Sequence, residues 1–286
     1  MISRRVVLAG LATALPAFAQ PKDDIAPLVS TLPVATHSFR TFRFTSKDGL
    51  RRYRIEAAIP KAVTKAHPSL WLCDGNAAFM ELTPADLEAR PDLAFIALGY
   101  DANVRFDLVS RAYDYTPAIA TVDEVRPEQK AGGADILAAL LRNDILPEVG
   151  QAIGLDPKRR ALWGHSYGGL FTLNTLYRHP DLFAQYIPAS PSLWWYQGRA
   201  FAEAPAPASK RRVLLMMGDA EVNKRVINGR ALPTPEDTVA ATHALAARIA
   251  TVHSIETAIL PGLGHGQMFT ASLKKAGQWA FQGDTK

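Results

Sequence analysis

Gly164-His165-Ser166-Tyr167-Gly168-Gly169 sets a serine in a G-x-S-x-G frame. The frame follows a short apolar run, 160–163, and precedes a helical pattern over 170–177. A serine on a sharp strand-to-helix turn presents its hydroxyl at the end of a sheet, and the strained backbone there needs small neighbours. Gly164, Gly168 and Gly169 provide that clearance. The helix behind the turn points free N–H groups and a positive dipole end toward the hydroxyl. A hydroxyl is a poor nucleophile until a base takes its proton, so Ser166 requires a histidine.

Chain order in this arrangement is nucleophile, acid, histidine, which narrows the seven histidines. His37 and His67 precede Ser166, and His165 lies in the turn itself. His179 ends a helix in Tyr-Arg-His-Pro, His243 falls inside a helical pattern, and His253 comes just after it. His265, in Pro261-Gly262-Leu263-Gly264-His265-Gly266, occupies a glycine-rich loop after the last strand and is the expected base. The acid should follow the strand 213–217, where Gly218-Asp219-Ala220-Glu221 offers two carboxylates. One would orient the imidazole and stabilise its protonated form. The other would then close a local turn. Glu221 is favoured over Asp219, and a serine–histidine dyad without a working acid stays open. A tetrahedral oxyanion needs two N–H donors, one following the nucleophile and one from the loop after an earlier strand. Tyr167 is the first. Leu72-Cys73-Asp74-Gly75-Asn76 closes the strand 69–73 and makes Asn76 the expected second, the alternative being a plain Asp-Gly turn.

The elements that must position these groups are legible as a change of pattern. Alternating residues in Phe42-Arg43-Phe44 and Tyr53-Arg54-Ile55 suggest an antiparallel pair joined near Asp48-Gly49. Continuous apolar runs follow at 69–73, 93–98, 160–164, 185–189, 213–217 and 254–260. Helical patterns lie between several of them. One spans 132–149, with Ile136, Leu137, Leu140, Leu141 and Ile145 on its apolar face, and another spans 239–249. Strands apolar on both faces that alternate with helices argue for a mostly parallel sheet covered on both sides, with the two leading strands as an antiparallel edge. The fold class expected is the α/β-hydrolase fold. Segments 74–90, 101–129 and 190–211 read as long connections of the kind that form binding loops, and 101–129 is the expected specificity region.

The N-terminus reads differently. Arg4 and Arg5 precede an apolar run over 6–15 and then Ala17-Phe18-Ala19, the layout of a cleavable signal peptide over residues 1–19. The run is shorter than the roughly 20 residues of a spanning helix, so no stable membrane insertion is expected after cleavage. Ser3-Arg4-Arg5 resembles a twin-arginine export signal. The expected product is a periplasmic or secreted single domain over 20–286. Cleavage removes two arginines and no acid, lowering the formal charge of +5 by two. The basic residues alternate with acids and form no run of five, which argues against a nucleic-acid partner. The one cysteine, Cys73, lies in an apolar strand and has no partner for a disulfide within the chain.

Six segments together resemble the esterase family that contains feruloyl esterases, mycolyltransferases and siderophore trilactone esterases. They are Leu72 to Phe79, Arg111-Ala112-Tyr113-Asp114-Tyr115-Thr116-Pro117, Gly132-Gly133-Ala134-Asp135, the serine frame through Phe171, Ser190-Pro191-Ser192-Leu193-Trp194-Trp195, and the His265 loop. Asp74-Gly75-Asn76 and the Arg111 segment are most similar to periplasmic enterobactin- and salmochelin-type esterases. The resemblance implies hydrolysis of a small-molecule ester through an acyl-enzyme, with no metal or organic cofactor. It suggests Arg111 as a contact for an anionic, catecholate-like substrate, although Arg111 could equally pair with Asp114 or another carboxylate. Trp194 and Trp195 could line an aromatic-accepting pocket or belong to the core. The acid segment reads Gly-Asp-Ala-Glu where relatives tend to have Gly-Glu-x-Glu, and some such esterases are thought to run on a dyad. An acyltransferase using the same triad and a non-catalytic ligand-binding protein on this scaffold remain alternatives.

Overall fold

The computed structural model describes residues 26–62, 65–119, 121–122, 127–195, 209–221, 226–227, 230–231 and 235–283. The predicted signal peptide, residues 1–19, lies outside them.

Strands β1 (His37–Thr45) and β2 (Arg52–Pro60) pair antiparallel from His37↔Pro60 to Thr45↔Arg52. Their turn passes through Gly49 at φ 73°, a left-handed conformation suited to glycine. The remaining strands of the sheet are β3 (His67–Leu72), β4 (Ala94–Tyr100), β5 (Leu155–His165), β6 (Gln185–Ala189), β7 (Arg212–Gly218) and β10 (Ser254–Leu260). A separate two-stranded ribbon joins β8 (Val226–Ile227) and β9 (Arg230–Ala231). The order across the eight-stranded sheet is β1-β2-β4-β3-β5-β6-β7-β10. Neighbours from β4 to β10 all pair in parallel, while β2 is antiparallel to both β1 and β4. The expected antiparallel edge is therefore one reversed strand, β2, and β1 again runs with the rest.

Alternate residues along a strand face opposite sides of a sheet, and both sides here are covered. In β3, Trp71 packs into one apolar cluster with α3 (Leu108–Asp114), α4 (Ala134–Leu140), α5 (Leu146–Ile153), α6 (Tyr167–Arg178) and α7 (Pro235–Ala250). Leu70 and Leu72 pack into the other, with α1 (Gly75–Glu81), α2 (Pro84–Glu88) and α8 (His265–Trp279). Each fully buried leucine contributes about 1.5–3 kcal/mol, so a continuous apolar run is what such a strand requires. The edge strand β10 departs from that expectation, with every residue at least partly exposed, because it has a neighbour on one side only.

Three expectations need correction. Segment 74–90 is no loop: it forms α1 and α2, and α2 starts with a capping box between Thr83 and Asp86 and with Pro84 in its first turn. Segment 101–129 contains α3, capped by Asp107, whose carboxylate accepts from the Ser110 N–H at 2.9 Å. The helix read over 132–149 is two α-helices joined by a π turn, Leu141–Ile145, and it continues to Ile153. Leu137, Leu141, Ile145 and Val149 recur every fourth residue and are all buried. An ordinary α-helix would rotate such a row by about 40° per step, and the wider π turn takes up part of that drift. Ile136 falls outside the row and is 50% exposed, not on the apolar face.

Candidate active site

The chain leaves β5 and enters α6 through Ser166, at φ 58° and ψ −116°. A non-glycine residue held there stores about 1–3 kcal/mol of strain, and the surroundings fix it. Its N–H donates to the Ala189 carbonyl at 3.1 Å, and its own carbonyl accepts from Leu170 N–H at 2.9 Å. A Cβ on Gly164 would stand 2.2 Å from the Gly168 carbonyl oxygen, so the turn cannot close around any other residue.

β7 and β10, the last two strands of the sheet, deliver the partners. His265 is the first residue of α8, and its Nε2 lies 3.1 Å from Ser166 Oγ. Its Nδ1 lies 2.8 Å from Glu221 Oε2. A carboxylate on Nδ1 holds the ring proton there and leaves the Nε2 lone pair to accept from the serine. Glu221 is 2% exposed. Its Oε1 accepts from the Gly218 N–H at 2.9 Å and from the Ser190 hydroxyl. Burial pushes this carboxyl up, but the hydrogen bond and charge of His265, with Ser190 and Gly218, outweigh it and hold Glu221 below the usual glutamate range. Asp219 faces elsewhere: its exposed carboxylate accepts from the Gly262 N–H at 2.6 Å. The Asp219 and Ala220 N–H groups donate to Leu260 and Leu263, tying the acid turn to the histidine loop. That approach requires Gly218, whose Cβ would meet the Leu263 oxygen at 2.1 Å.

Tyr167 is the first residue of α6 and Asn76 the second of α1, first-turn positions whose N–H groups point out of the helix end. β3 lies beside β5, so both helices begin at the same end of adjacent strands. The Asn76 side-chain amide donates to the carbonyls of Tyr100, Ala102 and Val104 at 3.0–3.2 Å, which pins the turn.

Arg111 on α3 pairs with Asp74 and not with Asp114. Its Nε and Nη2 reach the two Asp74 carboxylate oxygens, each at 2.9 Å. The guanidinium also lies 5.3 Å from the Tyr167 ring centroid and 5.8 Å from that of Tyr115. Asp74 sits at φ 51°, and its N–H donates to the Tyr115 hydroxyl at 2.9 Å. Asp114 instead meets Arg51 Nε at 2.8 Å. Trp194 is half-buried beside Tyr167, ring centroids 6.1 Å apart. Trp195 corrects its reading as a pocket wall. It has no exposed surface and packs edge-on against Tyr167, because the turn after Ser192 directs it into the core.

Four residues of this neighbourhood escaped the sequence reading in these positions. Ser190 binds Glu221 from a left-handed backbone at φ 40°. The Ser192 hydroxyl is 3.4 Å from Ser166 Oγ. Asp74 holds Arg111, and His165 packs on His265. Ser190 and Ser192 flank a proline in a segment already quoted, yet a serine pair beside proline carries no chemical signal until the fold brings it to Ser166 and Glu221.

A sequence model of the Esterase family ("Putative esterase") matches residues 51–258. The chain belongs to this family. The apo-salmochelin esterase of Escherichia coli O6:H1 (strain CFT073) is 33% identical over 89% of this chain and 84% of its own length. The ferri-bacillibactin esterase BesA of Bacillus subtilis (strain 168) is 30% identical over 53% of this chain and 57% of its own. Among solved structures, that of the enterobactin hydrolase IroE in complex with DFP is similar at 32% identity and a TM-score of 0.71, covering 87% of this chain and 97% of that one. DFP is an inhibitor of serine hydrolases. This esterase is thus a serine esterase with the α/β-hydrolase fold. No described helix is long and apolar enough to cross a membrane.

Proposed function

We propose that this esterase hydrolyses siderophore esters of the catecholate trilactone class, with Ser166 as nucleophile, His265 as base and Glu221 as the acid that orients it. The continuous line from Ser166 Oγ through His265 to the buried Glu221 carboxylate carries the reading. The similarity to the apo-salmochelin esterase supports the substrate class. Ser166 attacks the ester carbonyl while His265 Nε2 takes its proton. The Tyr167 and Asn76 N–H groups hold the oxyanion. His265 returns the proton to the leaving alcohol, and a water molecule, deprotonated by the same imidazole, then releases the acid and frees Ser166. Arg111 contributes through its pairing with Asp74, and Trp194 offers an aromatic wall beside Tyr167.

The test uses the purified mature protein on p-nitrophenyl butyrate and on a catechol trilactone, with Ser166→Ala as control. Turnover should be much faster on the trilactone and fall about 10⁴-fold or more in the variant. Serine-dependent turnover of the simple ester alone would remove the siderophore assignment, and more than a few per cent residual activity in Ser166→Ala would remove the mechanism.

We propose further that the mature chain, 20–286, is periplasmic or secreted after twin-arginine export, a reading supported by Arg4-Arg5 and the apolar run that follows them. Replacing Arg4 and Arg5 by lysine should leave the precursor uncleaved in the cytoplasm, as read by fractionation and the mass of the N-terminal peptide. Normal export of that variant would rule out the twin-arginine route.

A further inference from the structure

The residue before the nucleophile is a second histidine, and nothing in the mechanism above uses it. His165 ends β5, is 6% exposed, and directs its side chain at the base. Its Nε2 lies 2.9 Å from the backbone carbonyl oxygen of His265. A carbonyl only accepts, so Nε2 carries the proton and donates it. The two imidazole rings stand 4.6 Å apart at 40°. Phe269, one turn along α8, meets His165 edge-on at 5.6 Å and 82° and meets Trp163 at 5.2 Å and 79°. Trp163 in turn donates to the Ser272 hydroxyl on α8 at 3.3 Å. Two residues of β5 thus hold the first turns of α8, and the strand they belong to also carries Ser166. His265 lies 99 residues further along the chain, so its distance to Ser166 depends on how α8 is held to β5.

We propose that His165 is a positioning residue for the base: its Nε2–H, bonded to the His265 carbonyl, fixes the N-terminus of α8 so that the imidazole stays in reach of Ser166 Oγ. The groups that face it agree with a neutral donor. Burial pushes the His165 imidazole well below the usual histidine range, and the neighbouring His265 and Arg111 act in the same direction. A neutral ring keeps one N–H and places no second positive charge against His265 when that residue takes the serine's proton.

This inference rests on the Ser166–His265 reading, and the test separates the two. His165→Gln keeps an N–H donor near the carbonyl. His165→Phe keeps an aromatic ring but loses the donor, and His165→Met loses both while remaining apolar enough for the site. Each is assayed for kcat and KM on p-nitrophenyl butyrate, for the rate of fluoride release on reaction with DFP, and for thermal unfolding. A misplacement of about 1 Å costs about 100-fold in rate. Phe and Met variants should therefore lose about 10- to 100-fold in kcat and in DFP reactivity, with KM within about twofold. Gln should recover most of the loss. Equal activity of the Phe and Gln variants, or a loss confined to KM or to the unfolding temperature, would overturn the assignment. If instead Ser166→Ala is as active as the unaltered protein, the nucleophile itself is misassigned.

Discussion

Two carboxylates separated by one residue have different surroundings, and that difference decides which can orient His265. Glu221 is buried with three donors around it, whereas Asp219 is exposed and accepts from Gly262. Glu221→Gln should lower kcat by about 10³- to 10⁴-fold, the scale seen when the acid of such a triad is removed. Asp219→Asn keeps the acceptor for Gly262 and should stay within a few fold; the reverse outcome would exchange the two roles. Glu221 also links pH to stability. Its folded-state pKa is depressed, so the stability it contributes is present above the ordinary glutamate value and is lost as pH falls through the lowered one. The difference in urea midpoint between the unaltered protein and Glu221→Gln should thus shrink in acid, and a difference constant from pH 7 to pH 3 would contradict this. The serine and histidine were legible in sequence because turn chemistry confines them: glycines at 164, 168 and 169 and a glycine-rich loop around His265. The choice between Glu221 and Asp219 was only a preference, since burial is a property of the sheet end and not of Gly-Asp-Ala-Glu itself.

At the scale of the element, α3 shows what local pattern conveys and what it omits. The helix was hidden in an expected loop because its seven residues, Leu108–Asp114, carry no full apolar repeat. Its register nevertheless matters, because it lets Arg111 reach Asp74 while Asp114, one turn on, reaches Arg51. These pairs span 37 and 63 residues of sequence, and no periodicity signals them. The Asp74 pair bears directly on Arg111. A residue that only contacts an anionic substrate can be removed without harm to a neutral one. Arg111→Met should instead slow p-nitrophenyl butyrate and the catechol trilactone alike, mainly in kcat, because the turn that carries Asn76 loses its support. It should also cost about 3–5 kcal/mol, the penalty for leaving one partner of a buried ion pair uncompensated. A KM effect confined to the trilactone, with unchanged unfolding, would restore the substrate-contact role.

Across the whole molecule, the strand–helix alternation foretold a parallel sheet because buried strands must be apolar on both faces. The reversal of β2 alone could not be read, since β1 and β2 alternate in the same way whichever of them joins β4. That junction creates a buried polar site linking three elements. Tyr53 on β2 and Tyr100 on β4 both donate to Asp114 Oδ2, at 2.8 and 3.1 Å, and Arg51 closes the other side. Asp114 has no exposed surface. Burial pushes its carboxyl up to about 7, although Arg51 and the two hydroxyls pull it down. The folded protein therefore holds a proton that the unfolded chain releases near the ordinary aspartate value. A raised pKa contributes stability that is complete below the unfolded value and is lost as pH rises through the folded one. Asp114→Asn keeps an acceptor for the tyrosines and does not titrate, so its unfolding free energy should gain on that of the unaltered protein as pH rises from about 4 to 8. Urea unfolding across that range measures the difference directly. A constant difference would mean that Asp114 stays ionised throughout, as the partner of Arg51 in a charged pair buried between β2, β4 and α3.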